Sequence, residues 1–197
     1  HAQLQQDFAF VARCNVGGEA MADADVQRLA EIGQQTWLRH FDDRLGLSRA
    51  EVQRVASLPV KDLPAREPLL ADRLEHLVPW GARRPPVEAG NPENRWGFDM
   101  QLPAQQAHLG ELHNLSVRRG TLTTEDRFRI NDHIVQTIVM LKGLPFPPHL
   151  ARVPDIAGSH HEKLDGTGYP RRLGTEQLTL ADRVMTLADI FEALTAS

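Results

Sequence analysis

His160-His161-Glu162-Lys163-Leu164-Asp165-Gly166-Thr167-Gly168-Tyr169-Pro170 places two adjacent imidazoles, two carboxylates, two glycines and a proline within eleven residues. Upstream, Pro154 suits the first turn of a short helix that runs into the two histidines. His160 follows Ile156 by four residues and His161 follows Ala157 by four, so on a continuous helix both rings lie beside the inward face. Neighbours on a helix diverge by about 100°, which sends the two rings to neighbouring ions, or to one ion and one phosphate, rather than to a single ion. Downstream, residues 162–174 hold Gly166, Gly168, Pro170 and Gly174 and read as a loop.

Outward from this run the pattern is helical. A last helix begins near Leu178 and carries Val184, Leu187, Ile190, Phe191 and Leu194. Asp189 lies among them, where a buried carboxylate needs a metal, a salt bridge to a core arginine or several donors, and Asp182 shares its face. A long helix capped by Thr123 or Thr124 puts Ile130, Ile134, Ile138 and Leu141 on one stripe and stops at Gly143 and Pro145. His133 sits beside that stripe, either as a satisfied core histidine or as a ligand. Leu109, Leu112 and Leu115 mark a further helical stretch.

The N-terminal part gives a helix over residues 25–45, with Val26, Leu29, Ala30, Trp37, Phe41 and Leu45 on one face and Gly46 ending it. Ser48 and Glu51 form a capping-box pattern for a second helix that stops near Pro59. Between these regions, residues 78–103 are rich in proline and glycine. They read as a linker or flap pinned by Trp80, Trp96 and Phe98, aromatics that serve core packing or ligand stacking. No alternating strand pattern stands out. The expectation is an all-α fold divided into a helical segment 1–58, a Pro-rich segment 59–103 and a core 104–197, the core being possible as one continuous domain with 23–58.

A net charge of −4 argues against a surface that coats a nucleic-acid polymer. Cys14 is the single cysteine, which excludes an internal disulfide and fits a reducing, cytoplasmic compartment. No apolar run is long enough for a membrane segment. The chain opens on His1 and stops at Ser197 within a helical pattern, and is read as a fragment of a longer protein.

The run from His160 to Pro170 resembles, without a gap, the HD-GYP signature of HHE, two residues, DG, one residue and GYP. Residues 188–195, Gly120-Thr121-Leu122-Thr123 and Asn131-Asp132-His133 resemble the flanking parts of that family. The resemblance implies an HD-superfamily helical bundle with a bi- or trinuclear iron or manganese site that hydrolyses cyclic di-GMP to the linear dinucleotide or GMP. It implies His133, His160, His161 and Asp189 as metal ligands, the last three bearing the catalysis. Tyr169 falls in the loop that shapes the site; Arg171 and Arg172, just after it, read either as phosphate contacts or as solvated arginines of a turn. The family's His-Asp pair has no counterpart: Val60-Lys61-Asp62-Leu63 stands at its expected place, and His113-Asn114 is the other candidate, with His113 a further metal ligand. Glu31, His40 and His108 are candidates for the upstream ligands. A degenerate member would instead sense the dinucleotide or bind a GGDEF-type cyclase, and a homodimer is compatible with either reading.

Overall fold

The computed structural model describes residues 1–82 and 84–196. Among the described residues seven α-helices carry the architecture: α1 (Ala2–Val16), α2 (Asp23–Gly33), α3 (Arg49–Val55), α4 (Glu111–Leu115), α5 (Thr124–Lys142), α6 (Val153–Ala157) and α7 (Leu180–Thr195). The all-α expectation holds, with two short antiparallel ribbons added. Strand β1 (Thr36–Arg39) pairs with β2 (Ala65–Pro68), and β3 (Leu77–Val78) pairs with β4 (Ala107–His108).

The chain forms two compact units, His1–Trp80 with Ala104–Glu125, and Gly81–Pro103 with Asp126–Ser197. Of the Pro-rich segment, residues 81–103 therefore group with the C-terminal residues, while residues 59–80 and α4 group with the N-terminal ones.

In the first unit, Phe10, Leu29, Ile32 and Leu115 form a buried cluster joined by Val11, Met21, Leu70 and Leu112. Helix α1 was not read from the sequence, and it brings Phe10 to this core. The single helix expected over 25–45 ends instead at Gly33, where a side chain would meet Leu112 and the Leu70 carbonyl. Beyond it the chain turns into β1, whose Leu38 pairs with Arg66. Trp37, Phe41 and Leu45 are consequently exposed and not on a helical core face. A ladder partner outweighs helical periodicity here, since the pattern continued through a glycine that tertiary packing keeps bare. The Ser48–Glu51 capping box forms as expected: Ser48 N–H donates to Glu51 at 2.7 Å and Glu51 N–H to Ser48 Oγ at 3.4 Å. On β2, Glu67 is 2% exposed and is held by Arg39, Lys61 and Arg73 at 3.0, 2.9 and 2.9 Å.

In the second unit, α5 buries Phe128, Ile134, Val135 and Ile138. Ile130, expected on that stripe, is exposed, because the buried face is centred one position further round the helix. Gly158 ends α6 against α5, where a Cβ would lie 2.4 Å from the Ile138 side chain. The Pro-rich segment is a packed element: Val87, Phe98, Met100 and Leu102 are buried. Asn94 clamps it by donating to the carbonyls of Glu88 and Phe98 and accepting from Phe98 N–H. Asp99 N–H then donates to the Pro170 carbonyl at 2.7 Å, which pins the segment to the glycine-rich loop. Phe98 thus serves packing, while Trp96 stays 37% exposed. Helix α6 packs on α7. The apolar residues of α7, Val184, Leu187, Ile190, Phe191 and Leu194, are all exposed, so this helix does not bury the stripe its composition suggests.

Candidate metal centre

Helix α6 ends at Ala157, and residues 158–161 form turns. That termination overturns the expected divergence of the two adjacent rings, because the helical rotation between neighbours no longer applies. Ligand-capable nitrogens of His133, His160 and His161 lie within 4.8 Å of one another. The centroids of His160 and His161 are 4.1 Å apart, and the His133 ring meets His161 edge-on at 5.1 Å. His133 is exposed, which removes the core-histidine reading for it.

Two of the three rings have their tautomer set by the backbone. His133 Nδ1 lies 2.5 Å from the Ile130 carbonyl, and His160 Nδ1 lies 2.6 Å from the Ala157 carbonyl. A carbonyl only accepts, so each Nδ1 carries the proton and each neutral ring presents a lone pair at Nε2. His161 Nε2 faces His133 Nε2 at 3.2 Å. Nitrogens that share a divalent cation at roughly 2.1 Å each are themselves about 3.0–3.4 Å apart. The 3.2 Å spacing of the His133–His161 pair and the backbone-bound Nδ1 atoms of His133 and His160 fit a transition-metal ligand set. Burial pushes the His161 pKa below its ordinary value, the neighbouring His160 and His133 act in the same direction, and Asp189 opposes them.

Asp189 on α7 is half-buried. It falls outside the three-imidazole group, but its charge reaches both His161 and Tyr169. The expectation of a carboxylate enclosed by apolar neighbours is therefore corrected, since those neighbours point to solvent. Tyr169 stacks on His161 with centroids 4.7 Å apart and planes at 22°. Burial raises its phenol pKa, and Asp189 adds to the rise. Arg171 is largely buried and engaged with Asp155, which also takes Lys142 at 2.7 Å. Arg172 adopts a left-handed backbone, φ 54°, and leaves its side chain 54% exposed, with Nε 3.6 Å from Asp99.

His113 lies in the other unit, stacked on His108 at 3.9 Å, with its Nε2 3.0 Å from Glu125. The Asn114 amide donates to the carbonyls of His108 and Gly110. Glu31 and His40 are exposed residues of that same unit.

Sequence reading gave no role to the groups that hold this centre together. Ser159, 1% exposed, has its Oγ 2.9 Å from Asp182 Oδ1. Asp182 in turn accepts from the backbone N–H and the hydroxyl of Thr179 at 2.8 and 2.6 Å, capping α7. Burial alone would raise the Asp182 carboxyl, but the Thr179 and Ser159 donors outweigh it and hold it below the ordinary value. The Thr179-x-x-Asp182 spacing was a legible capping signal; Ser159 had none.

A family model described as HD domain matches residues 64–197. The chain belongs to the HD domain family, and its His160–Pro170 run places it with the HD-GYP type. It is 50% identical over 90 residues to a cyclic di-GMP phosphodiesterase of Vibrio cholerae, covering 44% of this chain and 18% of that protein. It is 40% identical over 88 residues to 3'3'-cGAMP-specific phosphodiesterase 3 of the same organism, covering 45% of this chain and 18% of that protein. Over 46 residues it is 44% identical to a cyclic di-GMP phosphodiesterase of Pseudomonas aeruginosa, covering 23% of this chain and 11% of that protein. The chain thus spans under a fifth of the length of these relatives. No solved structure matches significantly. Among the described residues no helix is long and apolar enough to cross a membrane.

Proposed function

We propose that this chain is the metal-binding part of a phosphodiesterase that hydrolyses a cyclic dinucleotide, cyclic di-GMP or 3'3'-cGAMP. The observation that carries the reading is the convergence of His133, His160 and His161 with two of their Nδ1 protons already committed to backbone carbonyls. In this reading the three imidazoles hold iron or manganese, with Asp189 nearby as the anionic contribution from α7. When bound, such a cation supplies positive charge for the scissile phosphodiester and acidifies a hydrolytic water. Tyr169 covers one face of His161 and excludes water from it, and exposed Arg172 offers a guanidinium to a second phosphate of the ring. The lone thiol of Cys14 suits a reducing, cytoplasmic setting.

The test is turnover. The chain, loaded anaerobically with Fe2+ or Mn2+, should linearise cyclic di-GMP or cGAMP, and His160→Ala should abolish it. A protein with stoichiometric metal that leaves both dinucleotides intact refutes hydrolysis. Tight dinucleotide binding in that protein would instead support a sensing module, a reading favoured by His113 being engaged with Glu125.

A further inference from the structure

Glu162 is 2% exposed, and among the described residues no cation forms an ion pair with it. Its two oxygens accept backbone N–H groups, Arg171 N–H to Oε1 at 2.7 Å and Leu173 N–H to Oε2 at 2.8 Å. Each is a charge-assisted bond of ordinary short length. The carboxylate thus straddles one end of the glycine-rich loop. At the other end Gly168 returns over the peptide from which the loop departs: a Cβ there would lie 2.5 Å from Glu162 Cα and 2.4 Å from Lys163 N. Tyr169, held between these two fixings, donates its N–H to the His161 carbonyl at 3.2 Å and lays its ring on the His161 ring.

His161 needs such a support. Among the described residues, His133 and His160 have Nδ1 tied to a backbone carbonyl, whereas His161 has its Nε2 contact with His133 and the ring of Tyr169. The geometry points to Glu162 as a positioning residue that orients the third imidazole indirectly, by fixing the loop that presses Tyr169 against His161. It touches neither the imidazole nitrogens nor a substrate. Its effect on hydrolysis rests on the phosphodiesterase reading above, but its effect on Tyr169 does not.

Tyr169 is the only tyrosine of the chain, so ring-labelled tyrosine gives one set of NMR resonances. In Glu162→Gln one oxygen becomes an NH2 group that opposes an N–H, and one loop anchor is lost. The Tyr169 ring resonance should move at least halfway to its position in free tyrosine. Mn2+ affinity should fall by about tenfold in step. Gly168→Ala attacks the same clamp from the loop side, and decides the matter by the same readouts if the Gln variant does not fold. A folded variant with the Tyr169 resonance unmoved overturns the proposal. So does a displaced resonance with Mn2+ affinity unchanged. A wild-type chain that binds Mn2+ without hydrolysing a dinucleotide counts against the phosphodiesterase alone. One that binds no Mn2+ fails the metal reading and leaves the Tyr169 resonance to decide Glu162.

Discussion

Replacing Asp182 by Asn changes one atom at the junction between the histidine-bearing turn and α7. The carboxylate is 5% exposed and accepts from Ser159 Oγ at 2.9 Å, Thr179 N–H at 2.8 Å and Thr179 Oγ1 at 2.6 Å, with Arg152 3.6 Å away. Asparagine keeps one accepting oxygen and turns an NH2 toward donors on the other side. Either the Ser159 bond or the Thr179 pair is lost. A hydrogen bond to a buried charged group contributes about 1.5–3 kcal/mol, and a stranded partner adds about 1 kcal/mol, so the loss should be about 2.5–4 kcal/mol. Urea unfolding of the metal-free protein measures it. Ser159→Ala removes a single arm and should cost about 1 kcal/mol, and the double variant should fall short of the sum because both act on one bond. The pH dependence has a definite sign. The Asp182 carboxyl is held below its ordinary 3.8, so its contribution is present above that pH and is lost as pH falls through the lowered value. The Asn variant should lack that acid-sensitive part. A loss under about 0.5 kcal/mol, or an unchanged acid limb, refutes the latch between the turn and α7.

Glu67 offers a second acid-linked measurement. Hydrogen bonding by Arg39, with Lys61 and Arg73, overcomes burial and holds its pKa down at about 2 instead of 4.5. Its stabilisation is therefore complete above pH 4.5 and should disappear between there and about pH 2, a change of about 3 kcal/mol that Glu67→Gln would remove from the stability profile. Gly158→Ala places a methyl group 2.4 Å from Ile138, which is 1% exposed. It should destabilise the protein by about 1–3 kcal/mol in thermal unfolding, partly restored by Ile138→Val.

Much of the candidate site was legible before folding was considered. The spacing from His160 to Pro170 marked the imidazoles, Tyr169 and the loop, and helical periodicity placed His133 near the middle of α5, because both signals are local. The short range of those signals is also why they failed elsewhere. Periodicity ran through Gly33 and merged α2 with β1, since no residue between 25 and 45 announces the partner strand at 65–68. The apolar content of α7 suggested a buried Asp189, yet burial depends on what packs against a helix, and here its apolar residues face solvent.

The sequence by itself determined the helical character, the glycine-rich turn and the imidazole chemistry, through backbone propensity and residue identity at fixed spacing. Only the tertiary structure decided which nitrogens converge. Ending α6 at Ala157 brought two adjacent rings, apart by rotation on a helix, within reach of His133 from a helix 28 residues away in sequence from His161. That convergence depends on Gly158 against Ile138 and Ser159 against Asp182, long-range contacts whose energies arise only when the elements meet.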